Sequence, residues 1–235
     1  MMRNKLFLML VLIFGLQVHS QNIKEILTHI QQEVSTNDFK VNLKYQLFKG
    51  VDGEKSLESF DGIYLKSGVN FYNKIKNTET IVGNDFMVKI NHDQKAMLYD
   101  NFEIDKSKPT DMLNLTILLK NFESPSVQDL GETWKCEMTA VEYSQMPYSK
   151  VVLFVDKKTY RIKKQILFLT SIMNFSDDAT DFNIPRLEIE YSNYTSVNAT
   201  DKLLFKREKY ISIKNNKIIP SSRFKEYEII NLKKI

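Results

Sequence analysis

The sequence predicts a mainly β, α+β fold: a strongly curved antiparallel sheet forming a half-barrel or incomplete barrel, lidded by short helices. Three observations carry this. Runs with apolar and polar residues in strict alternation recur along most of the chain, and such a period of two puts one set of side chains on one sheet face. Only two stretches show helical spacing. Few connections are long enough to hold a crossover helix, so neighbouring strands are expected to run antiparallel.

The first twenty residues stand apart from the fold. "MMRNK" is a positively charged start, "LFLMLVLIFGL" an apolar run, and "QVHS" ends in a small residue with Val18 two positions before it. This is the pattern of a secretory signal peptide with cleavage after Ser20, and the apolar run is short for a membrane span of about 20 residues. No cysteine lies near the cleavage point, so no lipid anchor on the mature N-terminus is expected. Residues 21–235 read as one exported, periplasmic domain. Loss of Arg3 and Lys5 lowers the formal charge from +4 to +2. The lysines are spread along the chain rather than gathered into a basic stripe with interleaved aromatics, so nucleic acid is not an expected partner. Cys136 is the only cysteine. An internal disulfide is therefore excluded, and stability must come from an apolar core. The Asn-x-Ser/Thr triplets at Asn114, Asn174, Asn193 and Asn198 read as chance matches in an Asn-rich chain.

The elements follow in order. "NIKEILTHIQQEV" places Ile23, Ile26, Leu27, Ile30 and Val34 at helical spacing, with Asn22 and Glu25 as a capping pair and "STND" as the stop. "FKVNLKYQL" is the cleanest strand, with Phe39, Val41, Leu43, Tyr45 and Leu47 on one face and Lys40, Asn42, Lys44 and Gln46 on the other. A turn at Asp52-Gly53 leads to two strands around Ser67-Gly68. "IVGNDFMVKINHDQKAMLYD" reads as extended runs broken at His92–Gln94, with Phe86, Val88 and Ile90 alternating against Met87, Lys89 and Asn91. A second helix is expected from Pro109, with Met112, Thr116, Leu119 and Phe122 on one face and Ser124-Pro125 closing it. The remainder reads as strands: "TWKCEMTAVEY", "SKVVLFV", "RIKKQILFLT", "RLEIEYSNY", "LLFKREKYISI" and "FKEYEII". Turns are expected at Asp156–Thr159 and Asn215-Asn216, and "NFSDDATDFNIP" reads as an exposed loop.

Geometry then implies curvature. About ten strands at roughly 4.8 Å spacing make a sheet on the order of 45 Å wide. The first helix, at 1.5 Å per residue, is about 20 Å long. Two such helices cannot cover one flat face, and every exposed Leu or Phe would forfeit roughly 1.5–3 kcal/mol of burial. The sheet should curl around its apolar side, with the helices plugging the mouth.

Catalytic signatures are missing. There is no HExxH, Walker loop, Gly-rich dinucleotide fingerprint or GxSxG. The mature chain has His29 and His92, and Cys136 sits within a strand pattern, as a buried structural thiol does. Asp177, Asp178 and Asp181 lack the spacing, Gly and distal Glu of an EF-hand and read as a solvated acidic loop. Glu188 and Glu190 read as the wet side of a strand. No cofactor, metal or catalytic residue is expected.

One amphipathic helix, a long one-sided strand, then "GIYLKSGVNFYNKI" and "IVGNDFMVKINHDQKAMLYD" resembles the LolA/LolB-like superfamily of periplasmic lipoprotein carriers. Asn84-Asp85 stands where that family's Asp-Gly is expected, and "VVLFVDKKTYRIKKQILFLT" is similar to its later hairpin. The resemblance covers most of Gln21–Tyr191; the tail from Leu203 fits less well. It implies an eleven-stranded half-barrel whose apolar concave side binds acyl chains of lipoproteins or other lipids. Phe39, Val41, Leu43, Tyr45, Leu47, Phe71, Phe86, Val88 and Ile90 would line this cradle. It also implies a monomeric carrier with partner proteins at the inner and outer membranes. The family's lid-holding arginine is absent from the early strands, since no arginine lies between Arg3 and Arg161. The lipidated cysteine of a LolB-like acceptor is also missing, so the nearer likeness is to a soluble LolA-like carrier. The competing reading is a non-enzymatic envelope interaction or structural protein with a filled core; an exported hydrolase has no nucleophile–base pair to support it. Whether the apolar face is core or cradle stays open at this point.

Overall fold

In the computed structural model, residues 23–101, 120–142, 145–178, 180–215 and 217–231 are described. The expected signal peptide lies outside these residues, and so does most of the expected second helix.

Helix α1 spans Ile23–Thr36, and its four buried side chains, Ile23, Ile26, Leu27 and Ile30, are the apolar stripe of the sequence. The strands are β1 (Phe39–Lys49), β2 (Ser56–Ser67), β3 (Asn70–Ile75), β4 (Thr78–Val82), β5 (Met87–Asn91), β6 (Ala96–Asp100), β7 (Phe122–Asp129), β8 (Thr133–Ala140), β9 (Tyr148–Asp156) and β10 (Ile162–Leu169). After them come the two-residue β11 (Met173–Asn174) and β12 (Phe182–Asn183), then β13 (Pro185–Thr195). The tail holds α2 (Ala199–Lys202), three 3-10 turns, β14 (Ile211–Lys214), β15 (Lys217–Pro220) and β16 (Glu228–Asn231).

Twelve strands form one sheet in the order β16-β6-β5-β4-β3-β2-β1-β13-β10-β9-β8-β7. The sheet is curved and does not close into a barrel. Its pairings are antiparallel except β16 on β6, which is parallel. The central strand β1 lies between β2 and β13, its partners Asn42–Lys49 facing Ser192–Pro185 on one side. One edge, β7, carries Pro125 and a register shift between Glu123 and Ser126, two features that discourage further strand pairing.

The register shows that the sheet is covered from both sides. Along one row, Lys40 pairs with Leu65, Leu65 with Tyr72, Tyr72 with Ile81, Ile81 with Val88 and Val88 with Tyr99. The row starts charged and becomes apolar as it crosses the sheet. The adjacent row runs Phe39, Lys66, Phe71, Val82, Met87 and Asp100. Directly paired residues share a face and sequence neighbours do not. The apolar side of β1 is therefore the face opposite the apolar side of β5.

Two cores result. Beneath α1, the buried residues include Phe39, Val41, Leu43, Tyr45, Tyr64, Cys136, Leu153 and Ile189. On the other face, Leu65, Tyr72, Ile81, Phe86, Val88, Ile90, Met97 and Tyr99 pack against Tyr210, Ile211 and Phe224 of the tail. Helices alone cannot cover a sheet this wide, and the tail supplies the second cover.

Several sequence expectations are corrected. "LLFKREKYISI" is not one strand: Leu203–Phe205 and Arg207–Lys209 are 3-10 turns, and β14 begins only at Ile211. Leu204, Phe205, Tyr210 and Ile211 cap the second core rather than join the large sheet. "FKEYEII" extends only from Glu228, because Phe224 lies in a 3-10 turn and is buried at 1% exposure. Phe122 opens a strand instead of closing a helix, and Ser124-Pro125 sits inside β7. A bulged edge strand tolerates proline, so the breaker did not mark a boundary. The acidic loop contains the short β11–β12 ladder. The Asp156–Thr159 turn forms as expected, with Asp156 Oδ1 accepting hydrogen bonds from the Lys158 and Thr159 backbone N–H groups and the Thr159 hydroxyl.

Candidate functional site

The candidate site is the apolar face beneath α1. Residues at odd positions of β1 face the helix; alternation along β13 brings Leu187, Ile189 and Tyr191 to the same side. Phe39, Val41, Leu43 and Tyr45 are 0–7% exposed. Rings run together across this face: Phe39 lies 5.9 Å from Tyr64 and 5.7 Å from Tyr194, Tyr64 lies 6.2 Å from Phe71, and Tyr45 stacks on Phe60 at 5.1 Å.

The nine residues expected to line one cradle divide. Phe39, Val41, Leu43 and Tyr45 lie together in the cluster under α1, and Phe71 packs against its edge. Leu47 is half-buried near the end of β1, paired with Leu187. Phe86, Val88 and Ile90 lie on the opposite face, 0–1% exposed beneath the tail. Sequence alternation establishes faces within a strand but not which way the register turns that face several strands away. The cluster also contains residues not singled out in the sequence, among them Tyr64, Leu153, Ile189 and Tyr194. Alternation in β13 was visible; its pairing with β1, far away in the chain, was not.

Polar contacts hold α1 mainly at its C-terminal end. Arg161 Nε donates to Glu33 Oε1 at 2.9 Å. The buried Lys66 ammonium donates to the Ser35 and Asn37 carbonyls at 3.1 and 3.3 Å, satisfying acceptors that the helix end leaves open. His29 meets Tyr160 with ring centroids 4.5 Å apart.

Burial keeps the titratable groups of this face in their neutral forms. Burial pushes the Cys136 thiol up to about 12, away from a reactive thiolate. Burial pushes the Tyr45 phenol up to about 12 as well, and raises Tyr191 and Tyr194. The Tyr191 hydroxyl donates to Gln165 Oε1 and the Tyr194 hydroxyl to the Ile162 carbonyl, both at 3.0 Å. Among the described residues no His, Cys, Asp and Glu side chains group in a way that could hold a metal ion. The surface offers apolar area and neutral phenols.

A groove of about 630 Å³ lies along β2, β1, β13 and β10, with Lys44, Asp61, Lys164 and Glu190 among the residues that line it. Asp61, Lys44, Glu190 and Lys164 cross it as direct cross-strand partners of alternating sign. Such a ladder stabilises the wet side of a sheet.

These features define the class: one open, curved, mainly antiparallel sheet with a helix on an apolar side. Among solved structures, the chain is similar to an uncharacterized conserved protein from Thermus thermophilus, at 9% identity over 90% of this chain and 99% of that one, with a TM-score of 0.48. It is similar to a LolA superfamily protein from Nitrosomonas europaea at 14% identity over 78% and 97%, TM-score 0.33. It is also similar to the lipoprotein LppX of Mycobacterium tuberculosis at 13% identity over 75% and 99%, TM-score 0.40. No protein-family model and no curated protein matches the sequence. At these identities and scores the likeness carries no argument about function, and what the site does has to come from the residues of this chain.

Proposed function

We propose that this chain is an exported, periplasmic and non-enzymatic carrier that shelters the acyl chains of a lipoprotein or other lipid on the α1 side of its sheet. The observation that carries the reading is α1 itself: an amphipathic cylinder laid across an aromatic-rich apolar face. Burying its four apolar side chains contributes roughly 6–12 kcal/mol. An acyl chain of about fourteen methylenes returns about 11 kcal/mol by the same measure. One chain can therefore replace the helix at little net change, which is what reversible loading requires. The cradle would consist of Phe39, Val41, Leu43, Tyr45, Leu47 and Phe71. Phe86, Val88 and Ile90 would serve the second core instead. Partner proteins at the two membranes would load and unload the cargo.

A second reading is favoured by one specific observation. Ile26, Leu27 and Ile30 are 0–1% exposed, so α1 fills the space it covers. On that reading the face is a permanent core and the chain is an interaction or structural protein of the envelope. Trp134, the single tryptophan, discriminates the two: it is 8% exposed in the α1-side cluster and packs on Tyr160 at 5.4 Å. Titration with a palmitoylated peptide should change its fluorescence saturably and displace α1, seen as faster amide exchange in residues 23–36. An unaltered spectrum and unaltered exchange would leave the packed-core reading.

A further inference from the structure

A second surface lies at one end of the sheet, away from the face beneath α1. Between β10 and β13 the chain extends into an arm ending in the β11–β12 ladder, where Met173 pairs with Asn183 and Asn174 with Phe182. The arm is built rather than loose. Phe175 N–H donates to the Asp181 carbonyl at 2.7 Å, and the Ser176 hydroxyl accepts from the Thr180 and Asp181 N–H groups. It is braced on the β1–β2 loop: Lys49 Nζ donates to Asp181 Oδ2 at 2.6 Å, Arg186 donates to the Val51 and Gly53 carbonyls, and Asn183 lies against Gly50.

This braced end displays Ile172 at 65% exposure, Phe182 at 60%, Val51 at 57%, Leu57 at 47%, Ile184 at 42% and Met173 at 38%. They are six of the ten large apolar side chains exposed among the described residues; by alternation about the β11–β12 ladder Ile172, Phe182 and Ile184 share one side, opposite Met173. Three side chains such as Ile172, Phe182 and Ile184 present on the order of 300 Å². A stable protein interface needs about 800 Å² from each partner, well beyond that. The patch suits shallow insertion into an interface that wets any apolar protrusion. Charge narrows the choice. Residues 170–184 contain Asp177, Asp178 and Asp181 and no lysine or arginine, and Asp181 is neutralised by Lys49. The exposed Asp177 and Asp178 would be repelled by an anionic surface and can pair with the ammonium groups of zwitterionic head groups.

We propose that the arm, through Ile172, Phe182 and Ile184, docks this chain reversibly on electrically neutral phospholipid bilayers. This surface is independent of what α1 covers, and its failure would leave the carrier reading untouched. The test is co-sedimentation of the full mature chain with phosphatidylcholine vesicles and with vesicles half phosphatidylglycerol. Binding to the neutral vesicles is expected, weak and reversible, with a partition constant no larger than the roughly 10⁴ M⁻¹ of a single myristoyl chain. I172S/F182S should lower it at least tenfold, whereas Leu130→Ser, also exposed but on the β7–β8 turn, should leave it unchanged. Anionic vesicles should bind several-fold more weakly, and D177K/D178K should reverse that preference. Circular dichroism confirms that these surface variants are folded. Equal binding by wild type and I172S/F182S, no binding to neutral vesicles, or a dimer that the double substitution dissolves would each overturn the proposal.

Discussion

Arg161 and Glu33 join the turn after β9 to the last turns of α1: Nε donates to Oε1 at 2.9 Å, and the same guanidinium lies 5.1 Å over the Tyr194 ring. Arg161 thus ties the C-terminal end of α1 to the β9–β10 turn. The pair is partly exposed, with 37% of the Arg161 side chain and 22% of the Glu33 side chain accessible. Its contribution to global stability is therefore small, about 1 kcal/mol or less. Arg161→Ala should lower the melting temperature only slightly while raising amide exchange in α1 several-fold. Unchanged exchange across 23–36 would show that packing alone holds the helix.

The two covers should respond differently to mutation. Phe224 is 1% exposed and plugs the face formed by Tyr72, Val88 and Ile90. Phe224→Ala should destabilise the whole protein by about 3–5 kcal/mol, the usual result of emptying an aromatic site. Denaturant unfolding measures this directly. It should leave α1 exchange, relative to the global unfolding rate, unaltered, because Phe224 and α1 lie on opposite sides of the sheet.

Gly83 tests the packing of the β4–β5 turn. A Cβ at this position would lie 2.1 Å from Phe86 Cε1, a separation no real pair of carbons holds. Phe86 is 1% exposed in the second core and cannot retreat into water. Gly83→Ala should therefore destabilise by about 1–3 kcal/mol, and G83A/F86L should recover much of it. A neutral G83A would mean that the turn shifts freely.

Acid should loosen the β9–β10 turn as pH falls toward 2. The hydrogen bond from Lys163, with further donors from Thr159, holds the Asp156 carboxyl at about 2, against the opposing effect of burial. A carboxyl lowered in the folded state stabilises fully above its usual range near pH 4, and that contribution is lost as pH falls toward 2. The group is partly in water, so the loss is about 1 kcal/mol at most. Asp156→Asn should flatten this part of the stability profile between pH 4 and 2, measured by thermal melts. An unchanged slope would place the acid sensitivity elsewhere.

Much of the sheet was legible in the sequence because half-buried strands write their faces as alternation. Phe39 to Tyr45 against Lys40 to Lys44 is such a case, and the four buried residues of α1 were readable from helical spacing. What could not be read was non-local. Nothing in the residues around Val88 says that its face is turned away from Val41; that follows from the ladder running through Leu65, Tyr72 and Ile81. The tail is hard to read from sequence for the same reason. Phe205, Tyr210 and Phe224 have the apolar content of strands, but their role is to cap a face whose existence depends on that register. Pro125 misled in the other direction, since an edge strand has no need of every N–H.

The most direct test of the carrier reading is mass spectrometry of an organic extract from protein purified gently out of the periplasm. Near-stoichiometric lipid or acylated peptide is predicted, and I26A/I30A, which weakens the helix in its competition with cargo, should retain more of it. An empty extract from folded, stable protein would contradict the reading and make the face beneath α1 a permanent core.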